Sequence, residues 1–194
     1  VVFAGNFDWS DVPLITEMRR YFDLPLRLSN DANVAVLGEA VAGAAKGAKD
    51  VVMLTLGTGV GGGVVAGGVL QEGGAAGGME LGHTIIVMDG AHCTCGQKGC
   101  IEAYASATGL IREAREAAQA DKASALWALC DGNLENMNGA IPFKAMRQGD
   151  AAAQGVVDRY VAYVGTAVIN FINIWRPEKV LLGGGVANEG DPLI

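Results

Sequence analysis

A chain of 194 residues, half of them apolar and 18% charged, has the composition of a globular protein with a sizeable core rather than a disordered one, and its length allows one domain or two small ones. Its net charge of −7 leaves no broad basic surface for nucleic acid or an anionic membrane. No apolar run reaches the ~18 residues of a membrane helix, no signal-peptide pattern opens the chain, and the cysteines read as reduced, cytosolic thiols.

Val1 to Ala4 reads as the end of a strand and Gly5 to Trp9 as a loop. From Asp11 the pattern becomes helical: Asp11 is placed to cap, Pro13 suits the first turn, and Leu14, Ile15, Met18, Tyr21 and Phe22 recur at helical spacing. Leu24 to Leu28 is expected to be a short strand, followed by Ser29-Asn30-Asp31-Ala32-Asn33 and a helix from about Ala32 to Ala45. Asn30 and Asp31 fit two roles. They are good helix caps, and they also place a carboxylate at a positive helix terminus, on the rim where α/β folds bind ligands.

Val51 to Leu56 is a buried strand by length and β-branching, and it runs into the glycine loop Gly57-Thr58-Gly59-Val60-Gly61-Gly62-Gly63. Val64 to Ala66 is the next strand, with Gly67-Gly68 turning into Val69-Leu70. Such glycines let backbone approach a ligand and can cradle phosphate, yet taken alone a glycine-rich hairpin is more often just a tight turn. Neither the Walker nor the dinucleotide pattern is present, because no Gly-Lys-Ser/Thr and no helix follows.

Gly73 to Gly78 reads as a flexible loop delivering Met79-Glu80-Leu81-Gly82-His83, and Thr84 to Met88 as a further strand. A helix is expected from Glu102 through about Ala118, a short one over Ser124 to Cys130, a polar turn over Asn133 to Gly139 and another helix opening at Ile141-Pro142-Phe143. Asp150 is placed to cap the longest helix, Ala151 to Trp175, with Val156, Val157, Tyr160, Val164, Val168, Phe171 and Ile172 as its core stripe. Lys179 to Leu182 is a last strand, emptying into Gly183-Gly184-Gly185. Apolar strands with helices between them, and glycine loops at strand ends, predict an α/β protein whose sheet is covered on both faces.

Three of the four cysteines fall together as Cys93-Thr94-Cys95-Gly96-Gln97-Lys98-Gly99-Cys100, with both histidines, His83 and His92, just upstream or adjacent. Four soft nitrogen and sulfur ligands this close form a candidate tetrahedral zinc site with no open position. Cys130 stands apart and reads as an inert core thiol.

Taken together, Asn30-Asp31-Ala32, Leu56 through Gly63, Glu80-Leu81-Gly82-His83, Cys93 through Glu102 and Gly183-Gly184-Gly185 resemble the ROK family of sugar kinases and sugar-responsive repressors, from about Asn6 to Ala187. The resemblance implies the actin-like, ribonuclease H-like α/β kinase fold. Residues 1–48 would then be a remnant of the smaller domain with the interdomain helix, and 49–194 the larger domain, its zinc loop at 83–102. It further implies Asp31 as the catalytic base that takes a proton from a sugar hydroxyl attacking the γ-phosphate of ATP. Asn30, Glu80, His83 and Glu102 would bind the sugar, and Thr58-Gly59 and Gly184-Gly185 would serve the nucleotide. His83, Cys93, Cys95 and Cys100 would hold a structural zinc; His92 is a rival ligand, although its adjacency to Cys93 makes chelating one metal awkward.

The implied partners are a hexose and ATP with Mg²⁺, with no nucleic acid and no membrane, in a cytoplasmic homo-oligomer, dimer or tetramer. Tyr104 to Leu110 looks closest to the glucokinase branch. N-acetylmannosamine, fructose or allose kinases, and a repressor's sugar-sensing domain, are the alternatives; a zinc-stabilised binding module without chemistry is a third. The family's amino-terminal phosphate-binding hairpin and closing helix have no counterpart here, so the chain is expected to be cut at both ends and inactive by itself.

Overall fold

The strand Val51–Leu56 is buried at every position except Thr55, because both of its faces are covered. In the computed structural model, which describes residues 3–4, 9–74 and 78–193, this strand is the third in chain order (β3). It follows a short antiparallel pair, β1 (Phe3–Ala4) and β2 (Trp9–Ser10), and two helices, α1 (Leu14–Met18) and α2 (Asp31–Ala42). Beside it lies β4 (Val60–Ala66), antiparallel from Val51↔Val65 to Leu56↔Val60. On its other side is β6 (Lys179–Gly183), parallel from Val51↔Lys179 to Thr55↔Gly183. With β5 (Val69–Leu70) at the far edge, the order is β5-β4-β3-β6.

Alternation along β3 divides the core. Val52, Leu54 and Leu56 point into the larger cluster, against α3 (Glu102–Ala105), α4 (Ala107–Ala120), α5 (Ala125–Leu129), α6 (Ala140–Arg147) and α7 (Ala151–Trp175). Val51 and Met53 point the other way, onto Val36 of α2 and Ala45. The expectation of a two-faced α/β sheet therefore holds, and Cys130 is fully buried in the larger cluster.

The glycine run is not all loop. β4 starts at Val60, inside it, so the loop proper is Gly57 to Gly59. A Cβ at Gly63 would lie 2.5 Å from Val36 Cγ1 and 2.7 Å from the Ala32 carbonyl oxygen, so glycine here lets α2 settle directly on the sheet. At Gly67 and Gly68, φ values of 58° and 78° make the two-residue hairpin turn.

Four other expectations need correction. Leu24 to Leu28 forms no strand; Leu24 and Leu28 are 66% and 46% exposed, and among the described residues no strand runs alongside to pair with them. Thr84 to Met88 is likewise not a strand. The amides of Ile86 and Val87 both turn onto the Gly99 carbonyl, and Ile85 keeps one isolated bridge to Cys100, so this segment folds onto the cysteine loop instead of a sheet edge. The helix from Glu102 breaks at Ser106, where ψ reaches 163° and the side chain caps a new helix by accepting from the Gly109 amide at 3.0 Å. Asp11 does not cap α1: Pro13 holds that position, with Asp11 at a φ of 53°.

Asp150 does cap α7, accepting from Ala153 N–H at 2.8 Å, and α7 has the expected bounds. In its core stripe Val168 is only half-buried and Ile172 is exposed. Val1, Val2, the loop over 5–8 and the middle of the glycine loop at 75–77 lie outside the described residues.

Candidate active site and metal cluster

The cysteine loop is drawn together by its own short bonds. Cys93 N–H donates to the Gln97 carbonyl at 2.8 Å, and Gly99 N–H to that of Ala91 at 2.8 Å. Ala91 N–H in turn donates to the Tyr104 hydroxyl oxygen at 2.6 Å, and the Tyr104 ring lies 4.6 Å from that of Tyr163 on α7. Gly99, at a φ of 80°, lies where a Cβ would collide with the Val87 carbonyl, so only glycine lets the two turns nest.

Ligand atoms of His83, Cys93, Cys95 and Cys100 lie within 4.8 Å of one another. His83 Nδ1 is 3.5 Å from Cys93 Sγ, and the Cys95 and Cys100 sulfurs are 3.7 Å apart. His92 is elsewhere, in an isolated bridge to Lys98, so the structure gathers His83 and not its rival. Burial and the two neighbouring thiols push Cys100 up to about 12. Three thiolates could share this space only with a cation among them, and the cluster could hold a metal ion.

Glu102 opens α3 two residues after the last cysteine. Its Oε2 accepts from Val60 N–H at 3.1 Å and its Oε1 from the Thr94 hydroxyl at 2.7 Å, while Cys93 Sγ lies 3.6 Å from Oε1. Partial burial pushes this carboxyl up. The Thr94 and Val60 hydrogen bonds, the nearby His83 and the Cys93 thiol outweigh that and hold it below the ordinary carboxylate value, so it is ionised at neutral pH.

Asn30 does two things at once. Its Oδ1 caps α2, accepting from Ala32 and Asn33 amides at 3.0 and 3.3 Å, and the residue also lines the cavity described next. Asp31 is the first residue of α2 and is exposed, its Oδ1 accepting from Ala32 N–H at 2.8 Å. Glu80 is exposed too, and its Oε2 is 3.8 Å from His83 Nε2, the ring nitrogen on the far side from Cys93.

A cavity of about 460 Å³ brings these residues together: Asn30, Asp31, Glu80, His83 and Glu102 line it with Gly57, Thr58, Gly59 and Gly184. It opens where the parallel strands β3 and β6 end, the rim at which α/β sheets take ligands. Gly184 sits there at a φ of 87°, where a Cβ would meet the Leu56 carbonyl oxygen at 2.5 Å. Gly185 does not reach this cavity. It lines a separate one of about 350 Å³ with Gly57, Thr58, Gly139 and Ala140, so Thr58 belongs to both. A third cavity, about 610 Å³, adjoins on the far side of Glu102 and is lined by Thr94, Thr108 and Arg112 among others.

Sequence reasoning missed the groups that hold Glu102. The Val60 amide carries no sequence signal, being backbone. Thr94 carried one: a hydroxyl between Cys93 and Cys95, eight residues before the carboxylate it meets.

The ROK family model matches residues 1–193. The chain belongs to the ROK family. It is 44% identical to a glucokinase of Halalkalibacterium halodurans, covering all of this chain and 59% of that protein. Among solved structures, a ROK-family glucokinase from Streptomyces griseus in complex with glucose and AMPPNP superposes at a TM-score of 0.87, with 37% identity over the whole of this chain and 62% of that one. A ROK-family transcriptional regulator, a homologue of the Escherichia coli MLC protein, superposes at 0.84 with 29% identity, over all of this chain and 48% of that one. This ROK chain thus spans about 60% of the length of the glucokinases it matches, and it carries their actin-like α/β fold. No described helix is long and apolar enough to cross a membrane.

Proposed function

We propose that the protein carrying this ROK chain is a hexokinase-type enzyme that transfers the γ-phosphoryl group of ATP to glucose, giving glucose 6-phosphate and ADP. The observation that carries the reading is the single cavity in which an exposed carboxylate at a helix start, Asp31, faces the same space as Asn30, Glu80, His83 and Glu102. The 37–44% identity to glucokinases supports it.

Asp31 is the general base. As the sugar hydroxyl oxygen bonds to the γ-phosphorus and the bond to the β,γ-bridging oxygen breaks, its carboxylate takes the hydroxyl proton. That carboxylate stands in the first turn of α2. Asn30, Glu80, His83 and Glu102 orient the sugar by hydrogen bonds to its other hydroxyls, and an analogue lacking one leaves its partner side chain unpaired. The nucleotide lies against Thr58-Gly59 and Gly184-Gly185, which line the two smaller cavities. Mg²⁺ bound with ATP would neutralise charge on the phosphates. Residues 1–48 would be a remnant of a smaller domain together with the interdomain helix, α2, and 49–194 the larger domain.

The metal cluster reads as a structural zinc site. Tetrahedral zinc, with bonds of about 2.3 Å to sulfur and about 2.05 Å to nitrogen, separates sulfurs by about 3.8 Å and nitrogen from sulfur by about 3.6 Å. The 3.7 and 3.5 Å separations match both. His83 would bind through Nδ1 and keep its one Nε2–H as a donor on the side that faces Glu80. With all four positions filled by protein, the ion would brace the loop without activating water.

A sugar-sensing repressor is the second reading, favoured by the fit to the MLC homologue. One assay separates them: coupled ADP release from the full-length protein across hexoses and N-acetylhexosamines. Glucose-dependent release, lost about 100-fold or more in Asp31→Ala while calorimetric glucose binding persists, is the expected result. Sugar binding with no release from any sugar would favour the repressor, and unimpaired Asp31→Ala turnover would remove Asp31 from the chemistry.

A further inference from the structure

Thr94 has no assigned role, yet its hydroxyl makes the shortest contact to the carboxylate of Glu102, 2.7 Å to Oε1. The opposite oxygen is held by the Val60 amide at 3.1 Å. A carboxylate offers about four lone-pair sites. Two donors from two different elements, one on each oxygen, fix the plane of the group and leave one lone pair on each oxygen for a ligand. That is the acceptor pattern for two neighbouring hydroxyls of a sugar.

Thr94 does not itself line the cavity that holds Asp31 and Glu80; it lines the space behind Glu102. It can therefore reach a sugar only through Glu102. The remaining candidate donor to Oε1, Cys93 Sγ at 3.6 Å, is a weak one as a thiol and none as a thiolate. On the Oε2 side Gly59, having no Cβ, leaves the room that this oxygen occupies.

We infer that Thr94 is a positioning residue for sugar recognition: its hydroxyl, carried on the loop between two ligand cysteines, sets the orientation of the Glu102 carboxylate that receives a vicinal diol. Thr94→Val removes the donor at nearly constant volume. It frees the carboxylate to rotate about the Val60 bond and leaves Oε1 to seek water. Thr94→Ser keeps the donor.

This inference rests on Glu102 binding a hexose, so the test separates the two. In the full-length protein, glucose affinity is measured by calorimetry for the parent, Glu102→Gln, Thr94→Val and Thr94→Ser, with metal content and unfolding midpoint recorded for each. The expected result is weakened glucose binding, about tenfold, in Thr94→Val, affinity within about twofold of the parent in Thr94→Ser, and unchanged metal content and midpoint in both. In turnover, the KM for glucose should rise by the same factor with kcat and the KM for ATP unchanged, because the interaction is equally present in the bound substrate and the transition state.

Parental affinity in Thr94→Val, beside a Glu102→Gln variant that binds poorly, would overturn the role of Thr94 and leave the sugar site standing. Full glucose affinity in Glu102→Gln would overturn the sugar site at this carboxylate, and the inference with it. Loss of metal or of stability in Thr94→Val that tracks the loss of affinity would make Thr94 a loop-folding residue and overturn the positioning role.

Discussion

A single methyl group added at Gly59 would fall on Oε2 of Glu102, with the Cδ carbon 3.3 Å away. The same oxygen accepts from the Val60 amide, so Gly59→Ala must push the carboxylate off both its place and its donor. Losing a hydrogen bond to a charged group costs about 1.5–3 kcal/mol, which is roughly ten- to a hundredfold in affinity. Glucose binding by the full-length protein, measured by calorimetry, should weaken by at least the lower figure; an unchanged Kd would show that Glu102 does not contact the sugar. At this scale the sequence was informative where chemistry and spacing coincide, as in Cys93, Cys95 and Cys100, whose sulfurs the structure gathers with His83. It was silent on Gly59, because one glycine in a glycine-rich run gives no sign of which side chain crosses its face. The donor to Glu102 from Val60 is backbone and leaves no trace in residue type at all.

Between elements, Asp150 does the work of two caps. Its carboxylate accepts from Ala153 N–H at the start of α7, and also from the Ser124 hydroxyl and the Ala125 amide at the start of α5, at 3.0 and 2.7 Å. Burial pushes its carboxyl up, but the amides of Ala153 and Ala125, the Ser124 hydroxyl and the Ala152 amide hold it below the ordinary value. Asp150→Ala should therefore cost about 1–3 kcal/mol, seen as a lower urea midpoint. A group whose folded pKa is depressed gives its full stabilisation above the unfolded value, near ~3.9, and loses it as pH falls through the folded one. The gap between parent and variant should stay level from pH 8 to 5 and narrow below about 4; a gap independent of pH down to 2 would mean the carboxylate charge plays no part. The helices were legible because caps and period repeat within one stretch, as Asp150 and the Val156-Tyr160-Val164 stripe show. Thr84 to Met88 misled because β-branching reports a preference for extended backbone and not the partner: the nearest one was Gly99 and Cys100, not a strand of the sheet. The break at Ser106 falls on a residue type that favours helix N-caps, and its side chain accepts from the Gly109 amide.

Across the whole molecule, the site is assembled from segments that meet only because β3 and β6 are parallel. Their C-terminal ends bring Gly57–Gly59 and Gly184 side by side, α2 delivers Asp31 from one direction, and the cysteine loop delivers Glu102 from the other. Each segment could be recognised alone, but their convergence depends on strand order, which no local pattern encodes; the resemblance to the ROK family supplied it. The cysteine loop is the segment with least secondary structure of its own, held by two isolated bridges and short turns. Its own short bonds and Tyr104 beneath it give it order, and the proposed metal among His83, Cys93, Cys95 and Cys100 would add to it. Metal analysis of the full-length protein should find about one zinc per chain. Stripping it with a chelator should lower the unfolding midpoint by about 5–10 °C, since several kcal/mol of ligation are lost and each shifts a full-length protein longer than this chain by about 2 °C. Glucose affinity should fall with it, because Thr94 and Glu102 flank the ligands, while ATP affinity measured without sugar should change little, its loops being anchored on the sheet. Restoring zinc should recover both. A stripped protein that kept its midpoint and its glucose affinity would show that the four side chains cluster without a metal, and that the fold alone holds Glu102 in place.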